Sequence, residues 1–156
     1  MTGTIESKLA ELGITLPEAA APAANYVPFV KSGNQLFISG QIPMTADGIQ
    51  FKGKLGDSMT AEEGAKAAKL CAINLIAQMK AATGDLEKVA RMVKLVGFVN
   101  STGDFGEQPA VINGASNFMV EVFGDKGRHA RSAVSAASLP FGVAVEIEAI
   151  VELTED

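Results

Sequence analysis

An α+β fold, with a mixed sheet and two helices packed on one of its faces, is what the sequence predicts. Three observations carry it. Residues 60–84 and 109–123 have apolar side chains at helical spacing and recognisable ends. Residues 27–43, 90–100, 130–136 and 143–152 are rich in branched apolar residues at strand length. The resulting order is β-β-α-β-α-β-β after a short N-terminal helix.

In the first segment, Ile5, Leu9 and Leu12 recur at helical spacing before Gly13, a natural helix stop. "LPEAAAPAANY" follows without periodicity and reads as a surface loop, so residues 1–20 form an N-terminal helix and loop extension. "YVPFVKSGNQLFISGQIP" is a hairpin turning at Ser32-Gly33-Asn34. "TADGIQFKGKLGDS" holds three glycines and reads as a loop with at most a short edge hairpin. Thr60 and Glu63 form a capping box that opens a long helix. Its stripe is Ala67, Cys71, Leu75 and Met79, and Gly84 follows its last turn. "ARMVKLVGFVN" is a strand, and the second helix runs from Pro109 to Phe123, with proline in the first turn where a missing N–H costs little. "ARSAVSA" and "VAVEIEAIVEL" close the chain as two strands, read as a hairpin about Leu139-Pro140. No linker divides the 156 residues, so a single domain is expected over 1–156.

Composition excludes several classes. Hydrophobic residues make up 47% of the chain, too many for disorder. Charges break every apolar run well short of the about 18 residues that a membrane span needs. One cysteine, Cys71, and one histidine, His129, leave no multi-ligand metal site of the usual kind, and neither a phosphate loop nor a nucleophile elbow is present. Thirteen basic against 18 acidic residues give a net charge of −5 without a basic cluster, which argues against nucleic acid as partner. No secretory leader is recognisable at the N-terminus, and a cytoplasmic protein without cofactor or metal is expected.

Arg131, one of three arginines, heads a strand of small residues. Alternation puts Arg131, Ala133 and Ser135 on one face of that strand, and in the last strand sets Glu146, Glu148 and Glu152 opposite an apolar face. If the two strands pair, Arg131 lies across from Glu148 with Glu146 on the diagonal. Two readings stand at this point. One is a cross-strand salt bridge on a solvated face. The other is an anion site, in which the guanidinium binds a carboxylate and a glutamate serves as base or orients water.

"SGQIP" at 39–43, with "ARSAV" and "LPFGVAVEIEAI" some ninety residues later, resembles the reactive intermediate deaminase (Rid, YjgF-like) family, in its longer branch with an N-terminal helix. The resemblance covers about residues 20–153. It implies a chorismate-mutase-like fold of the bacillus type and a homotrimer with sites between subunits. It also implies hydrolysis of 2-enamine and 2-imine acids, such as 2-aminoacrylate, to 2-keto acids and ammonia. On this resemblance Arg131 grips the substrate carboxylate and Glu146 handles the attacking water, with Glu148 as its rival. Tyr26, Ser39, Asn113 and Ala133 fall on substrate-binding positions. Ala133 departs from the cysteine of the best-known deaminases, and His129 from a proline or alanine. The alternatives are a non-catalytic binder of small keto or amino acids and a ribonuclease or translation inhibitor. Each residue also has a plain structural reading. Tyr26 can anchor a loop, Ser39 can close a strand end, Asn113 can bond to backbone, and Phe141 can wall a pocket or simply pack. Cys71 reads as core, and His129 carries no assignment.

Overall fold

The capping box forms as the sequence requires. Thr60 Oγ1 accepts from the Glu63 N–H at 3.1 Å, and Glu63 Oε1 accepts from the Thr60 N–H at 3.0 Å. In the computed structural model, which describes residues 3–21 and 24–155, this box opens α2 (Ala61–Thr83), and Gly84 closes it in the left-handed region at φ 73°. Residues 1, 2, 22, 23 and 156 lie outside the described residues, and with them the start of the predicted N-terminal extension and part of the alanine-rich loop.

The remaining elements are α1 (Thr4–Glu11), β1 (Phe29–Ser32), β2 (Gln35–Gln41), a separate small hairpin of β3 (Met44–Thr45) and β4 (Gly48–Ile49), β5 (Val89–Asn100), α3 (Gln108–Phe123), β6 (Ala130–Ala136) and β7 (Val145–Leu153). The main sheet has the order β1-β2-β7-β5-β6. Every neighbouring pair in it is antiparallel except β5 and β6, which are parallel.

Period-two alternation sorts the sheet into two unlike faces. Leu36, Ile38, Leu95, Val99, Val145, Ile147, Ala149 and Val151 point to one side and are buried under α2 and α3. Removing each such leucine, isoleucine or valine side chain from water contributes about 1.5–3 kcal/mol. Cys71 belongs to this core, its thiol aimed at Val145 O at 3.6 Å and pushed well up in pKa by burial. The opposite face carries no helix. Val30, Phe37 and Ile150 sit side by side across β1, β2 and β7, and Phe98 next to Val134 across β5 and β6, with Val30, Phe37 and Val134 exposed.

One expectation fails. The closing strands do not form a hairpin, because β5 lies between them and pairs with both. Leu95 is opposite Arg131 on one side and opposite Ala149 on the other, so Arg131 never faces Glu148. The chain instead crosses the end of β5. There the buried Asn100 donates through Nδ2 to Val143 O at 3.0 Å, and Lys54 Nζ donates to Asn100 Oδ1 at 2.8 Å and to Ala137 O.

The two helices meet at glycines. A Cβ on Gly114 of α3 would lie 2.0 Å from the backbone oxygen of Ala65 in α2, and no rotamer change relieves a clash with backbone. Helix propensity favours alanine over glycine by about 1 kcal/mol, yet Gly114→Ala is expected to destabilise the protein by about 1–3 kcal/mol through overpacking. Gly103→Ala, whose Cβ meets open space, is expected to be neutral or slightly stabilising. Urea midpoints of the two variants check the pair; a Gly114→Ala variant as stable as the parent overturns the packing argument.

Candidate functional site

β6 points Arg131 toward α3 because Arg131 shares the inward face with its neighbour Leu95. Two polar residues one helical turn apart on α3 meet it there. Arg131 Nη1 donates to Asn113 Oδ1 at 2.8 Å and to Ser116 Oγ at 3.1 Å, and Nη2 donates to Pro109 O at 3.4 Å. No described carboxylate pairs with it. Of its five N–H donors, the one on Nε and one on Nη2 stay without a partner among the described residues. A half-buried guanidinium in this state is poised for an oxyanion.

Behind Ser116 stands His129. Its Nδ1 lies 2.6 Å from Gly127 O, a pure acceptor, so Nδ1 carries the proton and Nε2 accepts from the Ser116 hydroxyl at 2.8 Å. The chain of donors therefore runs from Arg131 to Ser116 to His129 to Gly127 O. Gly127 itself is wedged against α3, where a Cβ would lie 2.2 Å from Met119 O. Burial holds the imidazole pKa below its ordinary value; the Gly127 bond opposes this, and the Arg131 cation adds to it.

The other expected residues gather elsewhere. A pocket of about 550 Å³ is lined by Tyr26, Ser39, Phe141 and Glu146, together with Asn74 and residues from the 17–21 and 40–46 segments. The β2 bulge between Ile38 and Gln41 brings Gly40 under Glu146, close enough that a Cβ there would lie 2.1 Å from the carboxylate. The Glu146 carboxylate has no hydrogen-bond or ion-pair partner among the described residues. Burial raises its pKa, and the neighbouring Glu148 raises it further. Ser39 Oγ donates to Val27 O at 3.0 Å, which ties the Tyr26 segment to β2. Asn74 Nδ2 holds the opposite wall through Ile42 O and Met44 O at 2.9 and 3.0 Å.

Within one chain the expected residues thus form two groups. Arg131 and Asn113 lie under α3, and Ala133, two residues on, faces Gly97 and packs against the core. Tyr26, Ser39 and Glu146 line the pocket, with Glu146 on the sheet face opposite to Arg131. Ser116 and His129 were missed as functional partners. The signals for them are present: Ser116 stands three residues after Asn113, and His129 two before Arg131, each on its neighbour's face.

Residues 6–153 match the family described as "YjgF/chorismate_mutase-like, putative endoribonuclease". Protein TCP17 of Trypanosoma cruzi is 54% identical over 153 residues, covering 97% of this chain and 96% of its own. Among solved structures, the protein Atu1372 with unknown function from Agrobacterium tumefaciens superposes with a TM-score of 0.91 at 53% identity, over 97% of this chain and 93% of that one. E. coli TdcF with bound serine is more distant, at 27% identity and a TM-score of 0.64, over 88% and 94% of the two chains.

The neutral imidazole sets a pH dependence. With its folded pKa depressed, the unfolded chain binds the proton more readily, so stability is complete above about pH 6.5 and falls as pH drops below it. His129→Gln keeps one donor and one acceptor but does not titrate. Wild type is expected to lose more stability than His129→Gln between pH 7 and pH 5 in denaturant titrations; parallel losses contradict the assignment.

Proposed function

This chain belongs to the YjgF/chorismate mutase-like family, and on that premise we propose that it hydrolyses small 2-enamine and 2-imine acids to 2-keto acids and ammonia in the cytoplasm. The observation that carries the reading is the Arg131 guanidinium, anchored by Asn113 and Ser116 yet unpaired with any described carboxylate. A substrate carboxylate fits its two open donors as a bidentate partner. The serine bound to E. coli TdcF is a small amino acid of the matching class.

Glu146 supplies the proton chemistry. An enamine first tautomerises to the imine, C3 gaining a proton as nitrogen loses one. Water then adds its oxygen to C2 while the C=N π pair moves to nitrogen, one water proton passing by way of the Glu146 carboxylate to that nitrogen. In the carbinolamine, Glu146 takes the hydroxyl proton and returns it to the amine; the C2–N bond breaks, ammonia leaves, and a carbonyl remains. A carboxylate whose pKa burial has raised is suited to both transfers. Positioning by the arginine supplies the rest.

Arg131 and Glu146 lie on opposite faces of their own sheet, so a complete site requires a second copy of the chain. The uncovered apolar face supports the same conclusion: Val30, Phe37 and Val134 need a partner surface. We therefore read the active form as a homotrimer with sites between subunits. Ala133 favours a second reading, a keto- or amino-acid binder without turnover, because no thiol accompanies Arg131 on its strand face.

Light scattering is expected to find three chains per particle at micromolar concentration; a stable monomer removes the shared site. Arg131→Lys keeps the charge and loses the planar fork. It is expected to weaken pyruvate or 2-oxobutyrate binding by about 1–3 kcal/mol in calorimetric titration, with the assembly intact. Glu146→Gln is expected to leave that binding within a few fold and to slow 2-aminoacrylate turnover by about 10²–10⁴. Wild-type binding that depends on Arg131, with no turnover in any variant, selects the binder instead. Unchanged affinity and turnover in Arg131→Lys defeat both.

A further inference from the structure

The pocket beside Glu146 is far larger than a three-carbon acid requires. Pyruvate has six non-hydrogen atoms, whereas about 550 Å³ is in the range of pockets that enclose drug-sized ligands. Its walls are mainly apolar and include Pro17, Pro28, Ile42, Met44 and Phe141 as well as Tyr26.

Phe141 is held at the rim in an unusual way. It adopts φ 60°, ψ 11°, the left-handed region that bulky side chains avoid, and yet it is 70% exposed. Within one chain burial does not compensate for that strain, which in such cases points to function. Tyr26, on the same pocket, is 56% exposed. Two exposed rings on one pocket suit a flat apolar group, since stacked and edge-on aromatic pairs gain energy beyond their buried area.

The wall opposite the sheet is built and braced. Residues 14–21 carry no regular structure, but the helix before them is docked by Ile5 and Leu9 in the core, by the Ile5 N–H to Glu87 Oε2 at 2.8 Å and by the Lys80–Glu6 ion pair. The buried Gln78 of α2 then spends its amide donor on Ala20 O at 3.0 Å, while its Oε1 finds no partner among the described residues. A buried amide so used fixes the segment that closes the pocket.

We infer that this pocket is a side-chain subsite, and that the preferred ligand is a 2-imino or 2-keto acid with a large aromatic side chain. The inference rests on the functional reading above and names its substrate class. The carboxylate meets Arg131 of a neighbouring chain, the reacting carbon lies at Glu146, and the ring passes between Tyr26 and Phe141. The N-terminal extension is thereby a specificity element.

Calorimetric titration of the full-length protein with phenylpyruvate and with pyruvate tests this. Phenylpyruvate is expected to bind at least about tenfold tighter, the low end of what even one buried methylene contributes. Phe141→Gly removes the ring and relieves the backbone, so its melting temperature is expected to hold or rise while the phenylpyruvate advantage over pyruvate falls. Ala20→Trp, which fills the pocket, is expected to abolish the advantage as well. Equal or tighter binding of pyruvate to wild type overturns the subsite and leaves the functional reading intact. A phenylpyruvate advantage that survives both substitutions also overturns it. Failure of wild type to bind either acid overturns the functional reading and the subsite together.

Discussion

β5 hydrogen-bonds along both edges, and most of the molecule follows from that. On one side its partner β6 is parallel, and parallel neighbours cannot be joined by a tight turn. The connection must cross a face of the sheet, and α3 is that crossing. On the other side β7 is antiparallel to both β5 and β2, so β2 and β5 run the same way and also need a crossover, which α2 provides. Both helices lie on one face, where the glycines at 64, 97 and 114 let helix approach helix and helix approach strand. The other face is left bare.

This topology gives the arginine its setting. A crossover helix covers the strand it leads into, so the inward side chain near the start of β6 meets α3. A third aliphatic residue at that position would simply extend the core. Arg131 there brings a cation against Asn113, Ser116 and the Pro109 carbonyl, neutral groups that orient a guanidinium without neutralising it. At its far end β6 must release the chain across β5. Asn100 and Lys54 bind the crossing segment, which then delivers Phe141 and Glu146 to the pocket.

What was legible in the sequence is what local physics determines. The Thr60–Glu63 box, Gly84, the proline of α3 and the alternation of β7 act within a few residues of themselves, and each appears where it was read. Strand adjacency is not local. "VSAASLPFGVAV" has the composition of a hairpin, and nothing within it reports that a strand forty residues earlier occupies the middle. The candidate site divides along the same line. Arg131 and Glu146 stand out by charge against apolar neighbours, whereas Ser116 and His129 acquire meaning only when α3 folds over β6. The strain at Phe141 was beyond reach as well, since a Pro-Phe-Gly turn admits more than one backbone path.

The failed hairpin and the proposed chemistry are linked by electrostatics. Had β6 paired with β7, Arg131 would face Glu148, and a cross-strand ion pair at that spacing would engage the donors a ligand needs. Such an exposed pair contributes only about 0–1 kcal/mol to stability, so the fold would gain little from it and the site would lose its anion. Inserting β5 separates the charges by a strand and puts them on opposite faces. The cation keeps two open donors, and the Glu146 carboxylate keeps its raised pKa. Among the described residues neither group pairs with an opposite charge. In the proposed shared site, a ligand with a carboxylate at one end and an electrophilic carbon at the other lies between them once a second chain brings the two faces together.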